Sequence, residues 1–132
     1  MKQPKINCQD LANVTVTYKI LADTIAHMFI GAFEGGSSNW LVSAEQSAGD
    51  KPSNPNLVWW GSQNIYNERL EITVIDYEKT VRVIKWKDIQ RGLNTMAEIQ
   101  PLAFSQLISE NDDMYTADAF LQCIVFGEVV YG

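Results

Sequence analysis

The sequence predicts an α+β fold, and three observations predict it. A long apolar helix pattern runs through the first third, from Ile20 to Phe33. Two alternating runs, LEITVID at 70–76 and TVRVIKW at 80–86, flank a three-residue YEK turn and read as a hairpin. Two further helical patterns then close the chain. With 132 residues, the chain can bury about two thirds of its unfolded surface without disulfide or metal. The reading is therefore one domain, residues 1–132: an antiparallel sheet with a central hairpin, packed against an N-terminal-half helix and C-terminal helices.

Each element has its own signal. Residues 1–12 are polar. Asn13 to Lys19 alternates, Val14, Val16 and Tyr18 against Thr15, Thr17 and Lys19, and reads as a short strand. The helix from 20 to 34 carries Ile25, Met28, Phe29 and Ala32 on one face, with Asp23 near its positive end and Gly35 and Gly36 at its stop. Leu41 to Glu45 reads as a strand, and SAGDKPSNPN at 47–56 as a long loop able to act as a lid. Leu57 to Trp60 reads as a short strand whose adjacent tryptophans face opposite ways. After the hairpin, Ile89, Leu93 and Met96 share a helix face until Pro101, which opens a segment with Leu102, Phe104, Leu107 and Ile108. Glu110 to Asp113 is an acidic turn. Thr116 caps a last helix through Val125, broken at Gly127 before the apolar tail GEVVYG.

Composition excludes several function classes. Hydrophobic residues make up 46% and aromatics 11%, which argues against disorder, and no apolar run reaches the roughly 18 residues of a membrane span. The start, MKQPKINCQD, has no apolar signal-peptide core, so cytoplasmic residence is expected. Cys8 and Cys123 lack ligand spacing and read as a near-terminal thiol and a buried one. The net charge of −6 repels duplex nucleic acid. It equally suits a protein that docks on a basic partner.

The candidate site is the turn after the first helix. Glycines let a ligand approach the backbone, so Glu34, Gly35, Gly36, Ser37, Ser38, Asn39 and Trp40 could line a pocket with Trp59, Trp60 and a cation such as Arg91. The same glycines serve equally as a helix cap and turn. Trp86, alternating with Ile84 and Arg82, reads as structural. His27, Glu34, Asp88, Asp118 and Glu128 are a thin set for catalysis, and no metal or cofactor motif is present.

Three stretches, AFEGGSSNW at 32–40, KDIQRGL at 87–93 and DAFLQCIVFGEVVYG at 118–132, together resemble a family of small bacteriophage and mobile-element proteins. That family has an EGG-x-N-Y/F-W segment after a helix, a D-I-x-R-G helix start and an FGE-(I/V)-V-Y-G ending. Here Asn39 stands where the tyrosine before the tryptophan is expected. The resemblance implies action in the cytoplasm of an infected bacterium. It supplies no activity, so residue roles come from chemistry. The expected function is a non-enzymatic counter-defence protein that sequesters a small nucleotide-like ligand, using no cofactor. The alternatives are an acidic inhibitor of a host defence protein and a small hydrolase using Glu34. The apolar tail must pack on its own core or on a second copy, and the reading favours a homodimer.

Overall fold

The computed structural model describes residues 12–111 and 113–132. Among these residues it is α+β, a three-stranded antiparallel sheet whose strands lie side by side in chain order, with four α-helices. Helix α1, Ala22–Gly31, buries Ile25, Ala26, Met28 and Phe29 along one stripe. It runs on into a π-type turn, Ala32–Gly36. There the Ser37 N–H reaches back five residues to the Ala32 carbonyl at 3.0 Å. Gly35, at φ 144°, takes a backbone conformation that a side chain would strain.

Strands β1 (Leu41–Ala48), β2 (Glu71–Asp76) and β3 (Val81–Lys85) follow. The β2–β3 hairpin pairs Ile72 with Ile84 and Ile75 with Val81. Period-two alternation sorts its two faces. Ile72, Val74, Asp76 and Ile84 are buried, whereas Val81 and Val83 are exposed. Strand β1 pairs with β2 through irregularities between Leu41 and Ser43 and between Gln46 and Ala48.

Helix α2, Trp86–Ile99, starts directly after β3. Asp88 Oδ2 accepts the Lys85 N–H at 2.8 Å and satisfies a backbone group at the helix start. Helix α3, Pro101–Ile108, has proline at its first position, where no intrahelical N–H is needed. Helix α4, Met114–Phe126, is the central element: every residue from Ala119 to Ile124 is buried, as are Thr116 and Ala117. It ends at Gly127 in the left-handed conformation, φ 76°. Two glycines let other helices approach it. A Cβ on Gly92 of α2 would lie 2.8 Å from Ile124 Cα, and one on Gly31 of α1 would lie 3.0 Å from Ala117 Cβ.

Several elements differ from expectation. Residues 13–19 belong to no strand; their alternation matches a strand's period, but among the described residues no strand pairs with them. Residues 57–60 are no strand either, since Trp59–Gly61 and Gln63–Ile65 form successive 3-10 turns. Strand β1 runs three residues past Glu45, shortening the loop after it. Trp86 opens α2 rather than ending β3. The cap of α4 is Asp113, whose carboxylate accepts the Thr116 N–H at 2.9 Å. That bond, the chief cause, holds the Asp113 carboxyl below its usual range. Cys8 lies outside the described residues, while Cys123 is buried as expected.

Candidate functional site

The turn after α1 is joined to the core. Trp40 is 1% exposed and Ser37 fully buried. Asp118 of α4 receives both: its Oδ1 accepts the Ser37 hydroxyl at 2.7 Å and the Trp40 indole N–H at 2.8 Å. The Trp40 ring is stacked on Tyr131 and meets Phe126 edge-on. Trp40 is therefore no platform for a ligand, because both the ring and its polar atom are already engaged. Gly36 abuts the Met114 carbonyl, 2.8 Å from where its Cβ would be, and Gly35 faces the Met114 side chain. These glycines serve the approach of α4. Ser38 and Asn39 are exposed at the surface of the turn.

Glu34, Trp59 and Trp60 sit together nearby. The Trp60 indole N–H donates to Glu34 at 3.1 Å. Phe33 packs against both tryptophans with centroids 5.6 Å away, and the two tryptophans meet edge-on. The Tyr66 hydroxyl donates to the Trp60 carbonyl, and burial pushes the Tyr66 phenol upward. The loop before them is stapled. Asp50 takes a two-pronged contact from Arg69 at 3.0 and 2.8 Å, which is the main cause of its lowered carboxyl pKa. Asn64 bridges the Ser53 N–H and the Lys51 carbonyl. Arg91 lies on the exposed side of α2 in an ion pair with Asp88 at 3.0 Å. Arg82 is likewise engaged, with Asp76 and over the Phe126 ring.

The C-terminal tail packs on its own core. Gln122, fully buried on α4, uses its whole amide: Oε1 accepts the N–H groups of Val130 and Tyr131, both at 2.8 Å. Its Nε2 donates to Asp118 Oδ2 at 2.8 Å and to the Tyr131 carbonyl at 2.9 Å. The side chain thus pairs with the tail backbone as a strand would. The three stretches behind the family resemblance meet on α4 through Trp40, Gly92 and the tail.

A spacious cleft lies elsewhere. Residues 15–21 and the start of α1 face α2 and α3 across a volume of about 980 Å³. Its walls include the rings of Tyr18, Trp86 and Phe104, the aliphatic side chains of Ile25, Ile89 and Leu93, the amides of Gln90 and Asn94, and Lys19. Tyr18 and Phe104 meet edge-on at 5.9 Å. No carboxylate, histidine or cysteine lines this cleft among the described residues. Sequence reasoning missed it and took Trp86 as structural. The available signal was the placement of Trp86, Gln90, Leu93, Asn94 and Ala97 on one helix face, rings and amides interleaved with aliphatics. A smaller polar cleft of about 390 Å³ holds Asp23, Thr24, His27, Gln63 and Glu110. Among the described residues, no group of histidine, cysteine and carboxylate side chains could hold a metal ion, and no helix is long and apolar enough to cross a membrane.

Comparison with family models, curated proteins and solved structures found no match.

Proposed function

We propose that the protein binds a small nucleotide-like molecule in the cleft between residues 15–21 and helices α2 and α3, and holds it without consuming it. The observation that carries this reading is the composition of the walls. Aromatic residues from separate segments, Tyr18 from the stretch before α1 and Trp86 and Phe104 from the helices, line one cleft, which suits a flat heterocycle. Amides and a lysine supply polar contacts, and the described lining has no carboxylate or histidine to move a proton at neutral pH. A volume of about 980 Å³ is at the upper end of the range for small-molecule sites. Stacking contributes about 1–3 kcal/mol per base, so retention at nanomolar concentration, about 12 kcal/mol, requires the polar contacts and aliphatic burial as well. The phage resemblance gives such retention a purpose, lowering a host signal by mass action.

The test is a thermal-shift screen against nucleosides and nucleotides, followed by chromatography of the recovered ligand. A rise of several degrees with intact ligand is expected, because a molecule that binds only the folded state stabilises it. A ligand recovered as product overturns sequestration in favour of hydrolysis, with Glu34→Gln as the first variant to assay. No shift with any nucleotide, together with salt-sensitive binding of a purified host defence protein, favours the acidic inhibitor.

A further inference from the structure

The cleft is rich in amides and poor in cations, which narrows the class of molecule it suits. We propose, building on the binding reading above, that the ligand is a 6-aminopurine nucleoside or its monophosphate, recognised through its base edge, and not a polyphosphate or cyclic dinucleotide. Gln90 and Asn94 are four residues apart on α2, about 6 Å along the axis, on consecutive turns of one face. Both are exposed, and neither amide is hydrogen-bonded to another described residue. A carboxamide presents a donor beside an acceptor, the complement of the adenine edge formed by N6 and N7. Trp86, one turn before Gln90, and Phe104 of α3 line the same cleft as the two amide residues.

Charge sets the second half of the inference. Lys19 is the one cation in the described lining. Arg69, Arg82 and Arg91 lie outside it, each already paired with an aspartate. The start of α2 beside Trp86 has its positive end offset by Asp88. Asp23 in the first turn of α1 offsets that helix's positive end in the same way, so Lys19 alone is left to balance one phosphate. Three phosphates would remain largely uncompensated on a chain of net charge −6.

Isothermal titration of the full chain with adenosine, AMP, ATP, cyclic di-AMP and guanosine, each at low and high salt, tests this. Adenosine and AMP should bind with similar affinity, and ATP, cyclic di-AMP and guanosine about tenfold or more weaker, as one bidentate base contact and its loss imply. Asn94→Leu and Gln90→Leu should each weaken adenosine by about tenfold while the unliganded melting temperature stays unchanged, since both amides are exposed. Tighter binding of ATP or cyclic di-AMP than of AMP, falling steeply with salt, overturns the ligand class but leaves the cleft as a nucleotide site. Equal binding of guanosine, or amide variants without effect, overturns the edge readout alone. Failure of all five compounds to bind overturns both this inference and the reading it rests on.

Discussion

Asp118 Oδ1 accepts the indole N–H of Trp40 at 2.8 Å, across 78 positions of sequence. The bond fastens the turn after α1 to the middle of α4, and the same oxygen holds the buried Ser37 hydroxyl. Asp118→Ala would strand the Trp40 and Ser37 donors away from water and remove one partner of Gln122 Nε2. Each unsatisfied group costs about 1–3 kcal/mol, and the losses are not additive. Asp118→Asn, which keeps one acceptor oxygen, should lose less. Urea titration compares the two variants. Equal stability of Asp118→Ala and wild type would mean that this carboxylate does not hold the turn.

Gly92 is the narrowest point between α2 and α4. The backbone of Ile124 stands 2.8 Å from a Cβ placed on Gly92, so Gly92→Ala must push two helices apart rather than rotate a side chain. Overpacking of this kind costs about 1–3 kcal/mol, opposite in sign to the gain usual for alanine in a helix. Chemical denaturation should therefore show a lower midpoint with an unchanged slope.

Gln122 is tested by charge. Gln122→Glu preserves shape and keeps acceptors for Val130 and Tyr131, but loses the amide donors and aims a second carboxylate at Asp118 and the Tyr131 carbonyl. The tail should detach, exposing the stacked faces of Trp40 and Tyr131. Limited proteolysis near the C-terminus and a red shift of tryptophan emission check this at neutral pH. A protected tail would show that ring packing alone holds it.

Acid should weaken the fold partly through Asp76. Burial acts against the charged carboxylate, but the backbone N–H groups of Thr80 and Glu78, both at 2.9 Å, and the Arg82 guanidinium at 3.3 Å outweigh it. The folded pKa therefore lies below the ordinary value of 3.8. A depressed carboxyl stabilises the fold above the unfolded pKa, and this stabilisation is lost as pH falls below 3.8 through the folded value. Asp50 and Asp113 have the same sign. Asp76→Asn should lower the melting temperature at pH 7 and reduce, without abolishing, its fall from pH 5 to pH 2. A variant as steep as wild type would assign the acid sensitivity to other carboxylates.

The fold class was legible because local patterns carry it: the alternation of 71–76 against 81–85 survives as a hairpin, and the helical stripes survive as α1, α2 and α4. Pairing was less legible. Residues 13–19 alternate as a strand does, yet alternation speaks of backbone conformation and not of a neighbour. Around Trp59 and Trp60, β-favouring residues yield to a turn closed by Tyr66 on the Trp60 carbonyl. The surroundings of the candidate site were illegible for a related reason. Two glycines, a serine and a tryptophan suggest a ligand when their partners are invisible, and those of Ser37 and Trp40 lie on α4 about 80 residues away. The cleft gave a weaker local signal because its walls come from three separate segments.

Two tryptophans separate the cleft from the turn as the binding site. Trp86 is half-buried and lines the cleft, while Trp60 is half-buried beside Glu34 and outside it. Truncation of either ring to alanine removes packing, so affinity must be measured on folded protein with each variant's melting temperature recorded alongside. Trp86→Phe keeps a ring at the start of α2 and should retain most of the affinity, whereas Trp86→Leu should lose about 1–3 kcal/mol if a base stacks there. Trp60→Leu should leave affinity unchanged even where it lowers stability, since it loses only the Glu34 bond and contacts with Phe33 and Trp59. The opposite result, affinity lost with Trp60 and kept with Trp86→Leu, would return the site to the turn after α1 and give Glu34 a direct role in it.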